Sequence, residues 1–263
     1  MSYDALLIIV PTYVLVFFRL AGMMIYAPFF GSARIPRRVK VLITAILAFT
    51  LAGIVPPATH MPGSLWLLAV GLAGEIMFGL AMGMAMSFTF IAVQWAGEII
   101  GQQMGFNMAE TFDPQFGGQG SLVGDLLFML TLVIFLTIPR ELGGPGHHAL
   151  LMAVRSSFNS LPLLSLGVNL PLLDLLFGLL QSTTTLALQL AAPMLVTMLV
   201  VDLSLGLIGK TMPQFNIMSA GVTLRTVVGM VVLILGIALT GNVISSKLIA
   251  GMDTVRLTYF HGT

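Results

Sequence analysis

Residues 122–139 (LVGDLLFMLTLVIFLTIP) and 222–241 (VTLRTVVGMVVLILGIALTG) each run on with few polar side chains. Runs of this length constrain the fold more than any other feature of the chain. In hydrocarbon every backbone N–H and C=O must be paired within the structure, which leaves helices or a closed barrel. Barrel strands alternate over about ten residues; these runs do not alternate, so helices are expected. About 18 consecutive apolar residues suffice to span a bilayer. Such stretches occur at roughly 5–29, 39–55, 65–93, 122–139, 170–201 and 222–247. A further stretch, 148–165, is interrupted by Arg155 and Asn159 and is not counted. The expected class is all-α: a polytopic membrane-associated protein of about six long, partly broken apolar helices.

Charge and motif content narrow the function. Only 8% of the 263 residues are charged, against roughly 25% in a soluble domain, and the mean hydropathy is +1.03. A formal net charge of +1 gives no reason to expect nucleic acid as a partner. The chain has no cysteine, so disulfides, thiolate nucleophiles and thiolate metal sites drop out. It has no H-E-x-x-H, no G-x-S-x-G and no glycine-rich loop ending in Gly-Lys-Ser/Thr. His147 and His148 are adjacent, diverge on a helix, and have no third ligand at a useful spacing. No enzyme activity, metal or cofactor is expected. The start of the chain lacks a basic segment and a small-residue cleavage site, so a removed signal peptide is not expected. The basic cluster Arg34, Arg37, Arg38 and Lys40 is expected in the cytoplasm, which puts the N-terminus outside. Arg140, Arg155, Lys210, Lys247 and Arg256 scatter and do not reinforce that orientation.

Helix breakers are frequent: 28 Gly and 13 Pro, among them Pro11, Gly71, Gly74, Gly79, Gly83 and Pro193 within apolar runs. Broken helices at membrane depth are expected to bury in protein or to line a wet cavity. Gly97, Gly101 and Gly105 recur at every fourth residue. Such a smooth stripe admits another backbone, from this chain or from another subunit. Gln94, Glu98 and Gln102 form a polar stripe one residue away, and Asp174, Gly178, Gln181 and Thr185 form a second. Gly221, Gly229 and Gly236 make a further small face. The segment 105–120, GFNMAETFDPQFGGQG, is polar and glycine-rich yet carries Phe106, Met108, Phe112 and Phe116. It reads as a functional loop or as a headgroup-level loop anchored by its aromatics.

Arg19, Glu75, Glu98, Asp125, Asp174, Asp202 and Arg225 lie within or at the edges of apolar runs. A charge at the centre of a spanning helix costs roughly 2.5–3.5 kcal/mol on insertion scales. Pairing between helices is expected ahead of an ion or substrate pathway, although the order of residues does not say which acid meets which base. Gly79, Met82 and Met86 share the helical face of Glu75, either as packing or as a soft channel lining.

Three blocks together carry a resemblance. They are RLAGMMIYAPFFGSARIPRRVKVLITAILAF (19–49); GEIIGQQMGFNMAETFDPQFGGQ (97–119), followed by an apolar helix and GHHALLMAVRSSFNSLP (146–162); and MPQFNIMSAGVTLRTVVGM (212–230). In this order, over nearly the whole chain, they resemble the FliR/SctT family of type III secretion export-gate proteins, and MPQFNI leans towards its flagellar branch. The stretch PRELGGPG is longer and richer in glycine than the family's short turn.

The resemblance implies one subunit of a helical export-gate ring, multi-pass in the bacterial inner membrane at the flagellar basal body. It implies FliP-type and FliQ-type chains as neighbours, FlhB-type and FlhA-type export components as further partners, membrane lipid around them, and unfolded flagellar proteins as cargo. Residues 1–165 would be a FliP-like part and 166–263 a FliQ-like helical hairpin. The segment 105–120 would project into the pore as a plug rooted at Gln102, Gln103, Met104 and Gly105. Phe106, Met108, Phe112 and Phe116 would seal it, since apolar constrictions gate by dewetting. Gly117, Gly118 and Gly120 would supply hinge freedom. Subunit interfaces are expected at Gly97, Glu98, Gly101, Asp174, Gln181, Pro213, Asn216 and Arg225. Two rival readings are a proton-coupled small-molecule or ion transporter and a purely structural scaffold that templates the ring.

Overall fold

The computed structural model describes residues 3–28, 30–32, 35–57, 63–106, 121–138, 145–164, 170–212 and 217–260. For 3–8, 170–176, 217–219, 238 and 251–260 it describes the backbone. Among the described residues the secondary structure is helical: α1 (Tyr3–Tyr26), α2 (Arg37–Ala52), α3 (Leu65–Gln103), α4 (Leu122–Thr137), α5 (Gly146–Ser160), α6 (Leu170–Thr211) and α7 (Ile217–Phe260). The protein is all-α, as its apolar runs require.

Three of the runs grow into helices of 39, 42 and 44 residues, α3, α6 and α7. At about 1.5 Å per residue they reach roughly 58–66 Å, about twice the hydrocarbon thickness of a bilayer. Among the described residues, four helices are long and apolar enough to cross a membrane, over Ile9–Tyr26, Leu65–Gln103, Phe177–Thr211 and Ala220–Ile237. All six expected apolar runs form helices, and these four are the ones long enough to cross. The runs at 39–55 and 122–139 become α2 and α4, each of 16 residues and too short to count. The uncounted stretch at 148–165 does form a helix, α5. It is amphipathic: Leu150, Ala153, Val154, Ser157 and Phe158 are buried, while His148, Met152, Arg155 and Asn159 are exposed.

The breakers do not break their helices. α3 runs on through Gly71, Gly74, Gly79 and Gly83, α1 through Pro11 and α6 through Pro193. The glycines serve close approach instead. A Cβ at Gly79 would overlap the backbone carbonyl of Arg19, one at Gly83 that of Met23, and one at Gly22 that of Ile76. Backbone therefore rests on backbone where α1 crosses α3, the contact that small residues at four-residue spacing permit.

The helices divide into two compact units, which do not follow chain order. One holds Met1–Phe88, Phe135–Leu180 and Leu248–Thr263; the other holds Thr89–Ile134 and Gln181–Lys247. The core of the first is built from Val16, Leu20 and Met23 of α1, Ala48 of α2, Met82 and Ala85 of α3, and Leu150, Val154 and Phe158 of α5. In the second, Val93, Ala96, Met104, Leu127, Ala191, Met198 and Ile244 are among the most buried residues, and the rings of Phe90 and Phe128 meet edge-on at 5.7 Å.

Candidate functional site

In the second unit, α3 ends at Gln103 and delivers the chain to the aromatic segment 105–120. That end is fixed. Met104 has no exposed surface, and a Cβ at Gly229 of α7 would overlap its side chain. The Thr226 hydroxyl is 3.0 Å from the Met104 carbonyl oxygen and 3.0 Å from the Val222 carbonyl of its own helix, so its hydrogen is shared between two acceptors. Gly105 follows at φ +81°, a backbone state open to glycine at little cost and to other residues at more. Gln102 is exposed, and Gln103 and Phe106 are half-buried. Met108, Phe112, Phe116, Gly117 and Gly118 lie outside the described residues.

The smooth stripe on α3 is filled by this chain's own α4. A Cβ at Gly97 would overlap Gly124, and one at Gly101 would overlap the Ser121 hydroxyl. Ser121 donates a 3.4 Å hydrogen bond to the Gly97 carbonyl, closing the same seam. Glu98 is half-buried beside it.

Two ion pairs answer the question the sequence left open. In the first unit, Arg19 Nε meets Glu75 Oε2 at 2.5 Å, with both side chains almost fully buried. Nη1 donates to Ser157 Oγ at 3.3 Å, and both Nη1 and Nη2 donate to the Leu161 carbonyl at 3.1 Å. Phe158 and Phe78 stack on the guanidinium at 4.3 and 4.9 Å. The other Glu75 oxygen accepts the Leu164 N–H at 3.0 Å. Leu164 itself stands at φ +64°, with its side chain against Gly71. Glu75 is thus fully engaged as packing and pairing, and its face is core rather than channel lining. In the second unit, Arg225 Nη2 lies 2.7 Å from Asp202 Oδ1, with each side chain 41% exposed. The alignment is not that of a hydrogen bond, and Arg225 Nε is buried without an acceptor among the described residues.

Comparison with known proteins decides what these elements belong to. Residues 10–250 match the family described as Bacterial export proteins, family 1. The flagellar biosynthetic protein FliR of Escherichia coli (strain K12) is 32% identical over 219 residues, 80% of this chain and 78% of the relative. The chain belongs to the FliR family. FliR of Bacillus subtilis (strain 168) is 28% identical over 94% of this chain and 93% of its own length. FliR of Pectobacterium carotovorum subsp. carotovorum is 30% identical over 82% and 80%. Family membership and four apolar helices make this a membrane-embedded component of flagellar protein export.

The remaining residues expected at FliR-family interfaces divide unevenly. Gln181 is exposed, and the neighbouring Gly178 has no described atom within 4 Å on its Cβ side. The Asp174 side chain, Pro213 and Asn216 lie outside the described residues. Sequence reasoning missed Thr226, Ser157, Ser121 and Gly124. Each is a small or hydroxyl residue in or just before a helical run, and its position opposite a carbonyl, a guanidinium or a glycine emerges only on folding.

Proposed function

We propose that this chain is a core component of the flagellar type III protein export gate, seated in the bacterial inner membrane at the basal body. It joins FliP-type and FliQ-type chains around a pore, with its first 165 residues FliP-like and the rest a FliQ-like hairpin. FlhB-type and FlhA-type components engage this gate, and unfolded flagellar proteins pass through it. The segment 105–120 plugs the closed pore, sealed by Phe106, Met108, Phe112 and Phe116. Its role is gating and positioning rather than catalysis.

One observation supports the plug above the others: the root at Met104 is buried and tied to α7 through Thr226, and the chain turns at Gly105 directly after it. A segment that opens and closes needs a fixed post, because apolar side chains exclude water only when held across the gap. The test is ion conductance of the assembled gate carrying Phe112→Ala with Phe116→Ala. Leakage is expected to rise while assembly stays intact; unchanged conductance in a correctly assembled gate would overturn the plug assignment.

A further inference from the structure

Among the described residues Leu164 alone bears a side chain at positive φ, +64°. For a bulky L residue this left-handed state is an outlier, and it persists where the surrounding structure imposes it. Two neighbours on α3 supply the constraint. Gly71 and Glu75 are about one turn apart and share a helix face. A Cβ at Gly71 would overlap the Leu164 side chain, so the glycine leaves the hollow that Leu164 fills. Glu75 Oε1 accepts the Leu164 N–H at 3.0 Å.

Arg19 grips the same stretch from its other end. Its Nη1 and Nη2 both donate to the Leu161 carbonyl at 3.1 Å, just where the Leu161 N–H closes α5 on the Ser157 carbonyl at 2.9 Å. A carbonyl and the N–H three residues further on commonly bond each other across a turn. Here the cation takes the carbonyl and the anion takes the N–H, each matching the sign of its partner's dipole. The Arg19–Glu75 contact joins the two, with side chains only 3% and 4% exposed, so little water competes for these bonds. A pair that merely fastened α1 to α3 would need none of this division. The place of the guanidinium is set in turn by the helix crossing, because Gly79, four residues beyond Glu75, admits the Arg19 carbonyl.

We infer that the Arg19–Glu75 ion pair is a clamp on the turn after α5, holding Leu164 in a left-handed state that the turn leaves when the pair is absent. Arg19 and Glu75 thereby position the chain as it exits α5, and a shift of α1 along α3 is felt at Leu164. Leu164→Gly and Leu164→Ala both empty the hollow at Gly71 but differ in their tolerance of positive φ. Each is made in the full-length chain, purified with the chains it retains, and again in the chain carrying Arg19→Met with Glu75→Gln. The protection factor of the residue-164 amide is read by residue-resolved hydrogen–deuterium exchange. With the pair in place, Leu164→Gly is expected to be protected about fivefold better than Leu164→Ala. Without the pair that advantage is expected to vanish, because the turn no longer demands a positive φ. Arg19→Lys keeps the charge and loses the fork of donors, so it should reduce the advantage partway, and it supplies the same comparison if the double variant does not fold. Equal protection of the two variants with the pair in place would overturn the inference. An advantage that survives unchanged when the pair is altered would show that other contacts hold the turn, and would overturn it too.

Discussion

The Arg19–Glu75 pair is 3% and 4% exposed, whereas the Asp202–Arg225 pair is 41% exposed on each side. Around the first, Ser157, two backbone groups and two aromatic rings use the remaining polar and π capacity. Around the second, Arg225 Nε finds no acceptor among the described residues. The helices that carry them differ in the same sense. The apolar windows of α1 and α3 are 44% and 50% buried within the chain, those of α6 and α7 only 22% and 11%. A closed buried pair belongs to the internal structure of one subunit. A half-open pair on helices whose apolar windows are mostly exposed contributes far less to that internal structure.

The largest effect is expected at the closed pair. Arg19→Met leaves the buried Glu75 carboxylate without its counter-charge and with the Leu164 N–H as its remaining partner, which costs about 3–5 kcal/mol. The melting temperature of the detergent-solubilised chain should fall steeply. Adding Glu75→Gln should recover part of the loss, because the orphaned charge is then gone. A single variant as stable as the parent would show that the pair does not hold the first unit together.

Next come the glycines. Gly79→Ala drives a methyl into the Arg19 carbonyl, with a cost of about 1–3 kcal/mol for overpacking. Gly236→Ala meets nothing within 4 Å among the described residues and should leave the isolated chain unchanged or stabilise it by up to about 1 kcal/mol. Equal loss from the two substitutions would refute the division into inner and outer faces. If Gly236→Ala melts normally but fails to co-purify with its partner chains, a partner backbone approaches there.

Much of this organisation was legible beforehand, and the limits have physical causes. Length and apolarity dictated helices, and the four-residue glycine spacing gave close approach, because both signals are local. The apolar runs at α2 and α4 did form helices, but shorter than a span, because each run outlasts the helix it forms. The glycines of α3 suggested breaks because intrinsic propensity disfavours them, yet packing against α1 outweighs a penalty of about 1 kcal/mol each. The partners of Arg19 and Arg225 stood 56 residues along the chain or on a separate helix. No periodicity encodes a contact of that kind. At the candidate site the root residues were expected from the family resemblance alone, while Thr226, which bonds the Met104 carbonyl, carried no signal beyond a hydroxyl beside Arg225.

A smaller effect is expected there. Thr226→Val keeps the shape of the side chain and removes the hydrogen shared with the Met104 carbonyl, a loss of about 0.5–1.5 kcal/mol. On the plug reading, the same substitution should raise ion leakage of the assembled gate modestly, because the post loosens while the sealing aromatics remain. Leakage equal to that of the parent would confine Thr226 to helix packing.

The smallest change in stability is expected at Arg225→Met, and it bears hardest on the comparison. An ion pair exposed to this degree contributes about 0–1 kcal/mol, so the melting temperature of the isolated chain should barely move. The guanidinium, however, has an N–H without an acceptor among the described residues and sits on α7, where little of the apolar window is buried. If that face is completed by another subunit, Arg225→Met should lower the yield of co-purified partner chains, and Arg225→Lys should restore only part of it, since an ammonium replaces the charge but not the fork of donors. Should Arg225→Met instead destabilise the isolated chain as severely as Arg19→Met, the two pairs would be of one kind. The distinction between an inward and an outward face would then have to be abandoned.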